Sequence, residues 1–369
     1  MTDRDYMLRA IELARGGLGW TSPNPLVGAV IVKDGRIIGE GYHERCGKLH
    51  AERNAIASLT ESAEGATLYV TLEPCCHYGK TPPCTEAILE QKIARVVIGS
   101  RDPNPLVAGK GAAILRAAGV RVEEDFMREE CDALNPVFFH YITKKTPYVV
   151  MKYAMTADGK IAARTGDSKW ITGESARKKV QELRHQYMGI MAGIGTVLAD
   201  DPMLNVRIPG LKSPVRIICD SGLRIPMDSK IVQTAKEYRT IVAYAGEYSG
   251  EGCKEAEEKA EQLHAAGVET VSVPDADGRV DLRKLMEYLG KQGIDSVLLE
   301  GGGTLNDAAL SAGIVNEICA FIAPKIFGGA GAKTPVSGIG VAHPAEAVML
   351  TLRQMETIGD DLMLRYSVD

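Results

Sequence analysis

One imidazole, one carboxylate and two thiols stand out by their type and spacing. His50-Ala51-Glu52 opens an apolar run, and Pro74-Cys75 and Cys84 follow downstream. Zinc takes nitrogen and sulfur ligands, and a catalytic zinc keeps three protein ligands with a fourth position open to water. His50, Cys75 and Cys84 make such a set. If His50 starts a helix, Glu52 falls in its first turn, within reach of water at the metal. Zinc lowers the pKa of that water to about 7. A carboxylate placed there can take the released proton and pass it to a leaving group.

The bare residues leave alternatives open. A structural zinc centre closed by His77, or a pair of reactive thiols, would use the same side chains, and Cys76 could stand in for Cys75. Eight residues separate Cys75 from Cys84, where deaminases of nucleic acids and free nucleosides usually have two. The order His-x-Glu and then Pro-Cys is nevertheless the signature of zinc deaminases, in which the glutamate is not a ligand. A structural site has no need of that glutamate.

The second half of the chain shows no comparable metal cluster. Gly193-Ile194-Gly195 lacks the third glycine of a dinucleotide fingerprint and says little. Glu300-Gly301-Gly302-Gly303-Thr304 is better placed, after an apolar strand and before a helix. Glycines there allow backbone N–H groups to approach a pyrophosphate at a helix N-terminus. A plain tight turn would look the same.

The elements that must position these residues follow from periodicity. In the first half, helices are predicted over Asp5 to Arg15, His50 to Leu59, Thr85 to Gln91 and Ala112 to Ala118. Strands are predicted over Val27 to Val32, Ile37 to Tyr42, Thr67 to Leu72, Val96 to Gly99 and Val120 to Glu123, with Asp34-Gly35 as a hairpin turn. Helices between short apolar strands imply a layered α/β domain with a mostly parallel sheet. The polar stretch Ile142 to Pro147 marks a boundary, giving domains over 1–145 and 146–369. The second domain is also α/β, with strands at Tyr148 to Met155, Gly189 to Ala192, Val215 to Cys219, Thr240 to Tyr244, Thr270 to Val273, Val297 to Glu300, Ile318 to Ala323 and Leu362 to Tyr366. Its helices are Glu174 to Gln186, Glu251 to Ala266 and Leu282 to Lys291.

Composition narrows the class of protein. The 369 residues suit two domains, and 45% hydrophobic with 25% charged residues suits a globular chain. No apolar run approaches the roughly 20 residues of a membrane span, so we expect a cytoplasmic protein. A net charge of −5 and 5% aromatic residues disfavour a nucleic-acid binder. Eight cysteines in a cytosolic chain are not a disulfide framework. The scattered ones, Cys46, Cys131, Cys219, Cys253 and Cys319, read as small core residues.

Longer motifs carry a family resemblance. The string from Pro74-Cys75-Cys76-His77 to Pro83-Cys84, Asn24-Pro25 before a Val-Gly-Ala-Val strand, and Arg101 to Gly109 closely resemble the bacterial bifunctional riboflavin-biosynthesis deaminase–reductases. A long loop between the cysteines is characteristic of that family, which usually has serine where Cys76 stands. Met151-Lys152 through Ile161, Gly166 to Thr172, Gly193 to Pro202 and the Glu300 run resemble its reductase half. The resemblance implies a cytidine-deaminase-like three-layer domain followed by a dihydrofolate-reductase-like domain, with zinc and NADPH as cofactors.

The resemblance also implies residue roles. Zinc falls to His50, Cys75 and Cys84, and proton transfer to Glu52. Asn24, His43, His77, Lys80, Asp102 and Asn104 hold a pyrimidine and its ribose 5-phosphate, although Asp102-Pro103 and Asn104-Pro105 are also ordinary turn signals. Ala154, Trp170, Thr196, Asp200, Ser221 and Gly302, Gly303 and Thr304 line the NADPH site. Lys152, Ser168, Arg184, Leu204, Arg207 and Glu300 face the reductase substrate. Arg184 and Arg207 suit phosphate, whose oxygens match a guanidinium fork, and Ser221 or Arg224 suits the 2′-phosphate of NADPH. Trp170 could equally be core filling. The expected reactions are deamination of a phosphorylated pyrimidine ribosylamine and reduction of its ribosyl chain to ribityl, by a homo-oligomer, dimer or tetramer.

Overall fold

Asp34-Gly35 turns the strand β1 (Gly28–Lys33) back on β2 (Arg36–Tyr42) as an antiparallel hairpin. The computed structural model describes residues 1–79, 82–246 and 252–369. The chain divides into two compact units, Met1–Lys145 and Thr146–Asp369.

Among the described residues the first unit builds one five-stranded sheet, adding β3 (Thr67–Leu72), β4 (Arg95–Ser100) and β5 (Arg121–Glu123) in the order β2-β1-β3-β4-β5. The sheet is mixed rather than mostly parallel. β3, β4 and β5 run parallel, but β1 is antiparallel to both its neighbours. The period of two decides the layers. Ala29, Ile31, Leu68, Val70, Val96 and Ile98 face one side, with Ala55, Ile88, Ala112 and Leu115 packed over them. Val30, Val32, Tyr69 and Val97 face the other, under Met7, Ala10 and Ile11 of the helix Asp3–Ala14 and under Cys131. Both faces are covered, which is why these strands read as unbroken apolar runs. Two helices escape the periodicity, Arg128–Asp132 and Pro136–Lys144. The second runs into the stretch read as a polar linker and ends at Lys145.

The second unit opens with β6 (Tyr148–Thr156). Its further strands are β7 (Gly189–Gly193), β8 (Val215–Cys219), β9 (Thr240–Tyr244), β10 (Val268–Ser272), β11 (Ser296–Leu299), β12 (Val315–Ala323), β13 (Leu350–Ile358) and β14 (Asp361–Val368). Their order is β10-β9-β8-β7-β11-β6-β12-β14-β13. Every pairing from β10 to β12 is parallel, and the β12-β14-β13 edge is antiparallel. One face buries Met151, Met191, Ile217 and Leu299 against Leu285 and Leu289 of the helix Leu282–Lys291, which Asp281 caps. The other buries Ile190, Ile218 and Val242 against Ile231 and Leu263. The helix Ile194–Asp200 and the strand β13 were not expected from the sequence. Cys131, Cys219 and Cys319 are buried free thiols, as core residues should be, whereas Cys46 is half-buried. The side chain of Cys253 lies outside the described residues.

Candidate active sites

The first site forms where two helices begin and β3 ends. His50 is the N-cap of the helix Ala51–Ala57, which puts Glu52 in its first turn, 3% exposed. Cys84 opens the helix Cys84–Glu90. Cys75 follows β3, and its carbonyl accepts the N–H groups of Cys84 and Thr85 at 3.1 and 3.2 Å. These bonds close the intervening loop on itself. His50 Nδ1 lies 3.4 Å from both Cys75 Sγ and Cys84 Sγ, and the three ligand atoms lie within 4.8 Å of one another. A tetrahedral zinc with Zn–S of about 2.3 Å and Zn–N of about 2.0–2.1 Å would space its ligands much like this, so the donor set fits the ion. His77 does not join the group. Cys76 turns away, its sulfur 3.7 Å from the carbonyl of Leu106.

Electrostatics divides the two thiols. A hydrogen bond from Cys84 holds the Cys75 thiol well below its ordinary range, with His50 assisting. The same bond, burial and the nearby Glu52 push Cys84 up. Burial raises the Glu52 carboxyl, and the charge on Cys75 raises it further. A carboxylate made more basic in this way is suited to carry a proton.

His43 extends the cluster, its ring edge-on to His50 at 5.4 Å. Its Nδ1 is 2.9 Å from the Leu49 carbonyl and its Nε2 is 3.2 Å from Asn24 Nδ2. Burial keeps His43 below its usual pKa, favouring the neutral ring. Neutral His43 can then donate from Nδ1 to Leu49 and accept from Asn24 at Nε2. His77 Nδ1 is buried with no hydrogen-bond partner. Asp102 is 8% exposed, and burial pushes its carboxyl up to about 6 against the opposing hydrogen bond from Asn104. Lys80 lies outside the described residues.

The second site lies at the carboxyl ends of β7, β11 and β6, where parallel sheets usually bind ligands. Glu300 follows β11 and takes a two-pronged bond from Arg184, Nε at 2.7 Å and Nη2 at 2.9 Å. Lys152 Nζ of β6 stands 3.9 Å from the same carboxylate. Burial would raise Glu300, but Arg184 and Lys152, with help from Arg207, hold it down to about 2. Glu300 is thereby held ionised and anchored to Arg184. Arg184 also donates to the Asn205 carbonyl at 3.1 Å. Exposed Arg207 is presented by its own N–H bond to Gln181 Oε1 at 2.9 Å. Asn205 and Gln181 were not legible beforehand, because neither contact is local in the chain.

Gly302 caps the helix Gly303–Ser311 without a side-chain bond, and a Cβ on it would lie 3.7 Å from Thr196 Oγ1. The two glycine motifs thus meet, leaving a helix N-terminus of the kind that suits a pyrophosphate. Gly303 has a different reason to be glycine. A Cβ there would overlap Ser337 Oγ, so the chain's own packing requires it.

The remaining expected residues differ in burial and in partners. Leu204 takes a positive φ of 48° and is 3% exposed. Its side chain packs in the core with Ile190 and Ile218, so only its backbone is left to meet a substrate. Trp170 is 58% exposed, with Arg177 stacked 4.7 Å from its ring centre, which rules out core filling. The Ser221 hydroxyl accepts the Val280 N–H at 3.2 Å. Asp200 is exposed at the end of its helix, Ser168 and Ala154 are half-buried, and Arg224 is 62% exposed at its side chain.

This arrangement defines a class, a zinc-type deaminase unit followed by a reductase unit. Residues 1–100 match the cytidine and deoxycytidylate deaminase zinc-binding region, and residues 147–364 match the RibD C-terminal domain. A riboflavin biosynthesis protein RibD of Actinobacillus pleuropneumoniae is 58% identical, covering 100% of this chain and 96% of the relative. The solved RibD of Acinetobacter baumannii superposes with a TM-score of 0.87 at 37% identity, covering 100% of this chain and 99% of that one. A diaminohydroxyphosphoribosylaminopyrimidine deaminase/5-amino-6-(5-phosphoribosylamino)uracil reductase from Thermotoga maritima gives 0.85 at 38% identity, covering 99% and 98%. The chain belongs to the RibD family. It is a bifunctional deaminase and reductase of riboflavin biosynthesis, with zinc serving the first activity and NADPH the second.

Proposed function

We propose that residues 1–145 deaminate 2,5-diamino-6-(ribosylamino)-4(3H)-pyrimidinone 5′-phosphate. Residues 146–369 then reduce the ribosyl to a ribityl chain, giving 5-amino-6-(ribitylamino)uracil 5′-phosphate. The observation that carries this reading is the His50, Cys75 and Cys84 cluster with buried Glu52 beside it.

In this reading His50, Cys75 and Cys84 hold zinc, which supplies the Lewis acidity that makes water nucleophilic at neutral pH. Glu52 takes a proton from the attacking water and gives it to the ring nitrogen, then takes the proton of the newly added hydroxyl and gives it to the amino group, which leaves as ammonia. Asn24, oriented by His43, reads the amide edge of the ring. His77, Lys80, Asp102 and Asn104 complete the grip on the ring and its ribose phosphate.

NADPH brings the hydride of the second reaction, and the protein's part is to hold donor and acceptor in register. Ala154, Trp170, Thr196, Asp200, Ser221 and the turn Gly302 to Thr304 receive the cofactor. Lys152, Ser168, Arg184, Arg207 and the backbone of Leu204 face the substrate, with Glu300 fixing Arg184. Arg207 is exposed, and its charge reaches Glu300 strongly enough to help hold that carboxyl down, which supports its access to a phosphate beside Arg184. Arg207→Ala should raise KM for the reductase substrate about 10-fold or more, from the loss of a charged hydrogen bond. KM for NADPH should stay put, and steady-state kinetics in which only NADPH binding suffers would remove Arg207 from this role.

A homo-oligomer, dimer or tetramer, is supported by β13. This outermost strand leaves Leu350, Leu352 and Met355 exposed, and Val348 and Met349 before it are exposed too. A bare apolar edge is a liability that a second copy would cover. A cytoplasmic location is supported by the free thiols and by the absence, among the described residues, of any helix long and apolar enough to cross a membrane. The acidic net charge supports a small-molecule substrate over nucleic acid.

The test is a coupled assay on the purified protein with the diaminopyrimidinone ribosylamine phosphate, following ammonia release and NADPH oxidation together. Ammonia first, then NADPH loss, is the expected result. Ammonia alone would sink the reductase assignment, and silence on both would sink the proposal.

A further inference from the structure

Glu73 is the residue between β3 and Pro74-Cys75, and it is 4% exposed. Its carboxylate meets backbone donors on another element: Oε2 accepts the Gly109 N–H at 2.9 Å and Oε1 accepts the Ala112 N–H at 3.2 Å. Gly109 is the N-cap of the helix Lys110–Ala117 and has no side chain to cap it. The first N–H groups of any helix lack partners within it. Here a carboxylate from a different strand end supplies them, and the positive end of the helix offsets the buried charge.

The same residue holds the other end of that loop. The Glu73 N–H donates to the Ser100 carbonyl at 2.9 Å. Residues 101–109 therefore leave the sheet at one bond to Glu73 and return at another. Between the two anchors the loop is folded by its own side chains. Asp102 Oδ1 accepts the Asn104 N–H at 2.8 Å, and Asn104 Oδ1 accepts the Leu106 N–H at 3.1 Å. Gly111 seals the joint, since a Cβ there would overlap the Pro74 carbonyl. The metal-ligand loop has anchors of its own, the bonds from Cys84 and Thr85 to the Cys75 carbonyl, and touches the 101–109 loop where the Cys76 sulfur lies 3.7 Å from the Leu106 carbonyl.

We propose that Glu73 is a positioning residue for deamination: by clasping both ends of the 101–109 loop it sets Asp102 and Asn104 against the bound pyrimidine. This rests on the reading of Asp102 and Asn104 as substrate-binding residues. Glu73→Gln keeps the size but turns an NH2 group toward one of the two N–H donors, which loosens the loop and leaves the metal ligands their own anchors.

The experiment compares full-length, zinc-loaded E73Q, N104A and the double variant. For E73Q we expect deaminase KM to rise at least about 10-fold, with kcat within about threefold. Zinc content and reductase kinetics should be unchanged. N104A should raise the same KM, and E73Q should add little to it, because both act through one loop. If N104A raises KM and E73Q does not, Glu73 has no such role although the substrate reading stands. If N104A leaves KM unchanged, the reading and the proposal fall together. Additive effects, or loss of zinc from E73Q, would also overturn the proposal, the latter making Glu73 a support of the metal loop. Should E73Q not fold, E73D replaces it under the same expectations, since it keeps the charge but falls one methylene short of the donors.

Discussion

Glu52→Gln is expected to slow ammonia release by about 10²–10⁴-fold, the usual worth of a positioned general acid–base group, while zinc content holds and so does NADPH oxidation when the deaminated substrate is supplied directly. Glu52 is buried beside Cys84, and burial raises its carboxyl. Glutamine has the same shape and none of the basicity, so E52Q removes proton transfer without opening a cavity. No buried charge is left unpaired, and the melting temperature should move little. Ammonia release and zinc content measured on the same preparation check this. A deaminase rate close to that of the parent would exclude Glu52 from the proton path.

The second large effect separates two adjacent thiols. Cys75→Ser should lower zinc affinity by more than about 100-fold, because altering a mere supporting neighbour of a metal ligand already costs 10–100-fold. Deamination should fall with the zinc. Cys76→Ser should change neither, since the Cys76 sulfur points to the Leu106 carbonyl and not to His50. Metal analysis with the opposite pattern would show that Cys76 is the ligand. Reduction by the second unit is the internal control for both variants.

Spacing alone brought out His50, Cys75 and Cys84, because zinc ligation demands particular atoms and the helix starts follow from local signals. It favoured Cys75 over Cys76 only as the residue directly after proline. That choice depends on which way the chain leaves β3, and the bonds that decide it come from Cys84 and Thr85. Arg184 and Glu300 are 116 residues apart, so their fork was invisible as a contact, although each was named as a single residue. The turn at Leu204 was illegible for another reason. Nothing in a leucine announces a positive φ, and the turn sends its side chain into the core. The helix Pro136–Lys144 buries no residue, and β13 is exposed along most of its length. Neither has an inward face within its own chain to write a period into the sequence. The mixed first sheet escaped because an unbroken apolar run reports burial on both faces, not strand direction.

The strand order has a consequence for synthesis on the ribosome. Every strand of the first sheet is encoded by Glu123, so that unit can close while the rest of the chain is still being made. The second cannot. Its opening strand, β6, lies between β11 and β12, and neither Ser296–Leu299 nor Val315–Ala323 exists until synthesis is nearly done. Val149, Val150 and Met151, fully buried at the end, must wait in the nascent chain without their partners. Such long-range parallel pairing is slow and exposed to aggregation. A chaperone's grip on this protein should therefore fall on β6, and it should loosen only when β12 emerges.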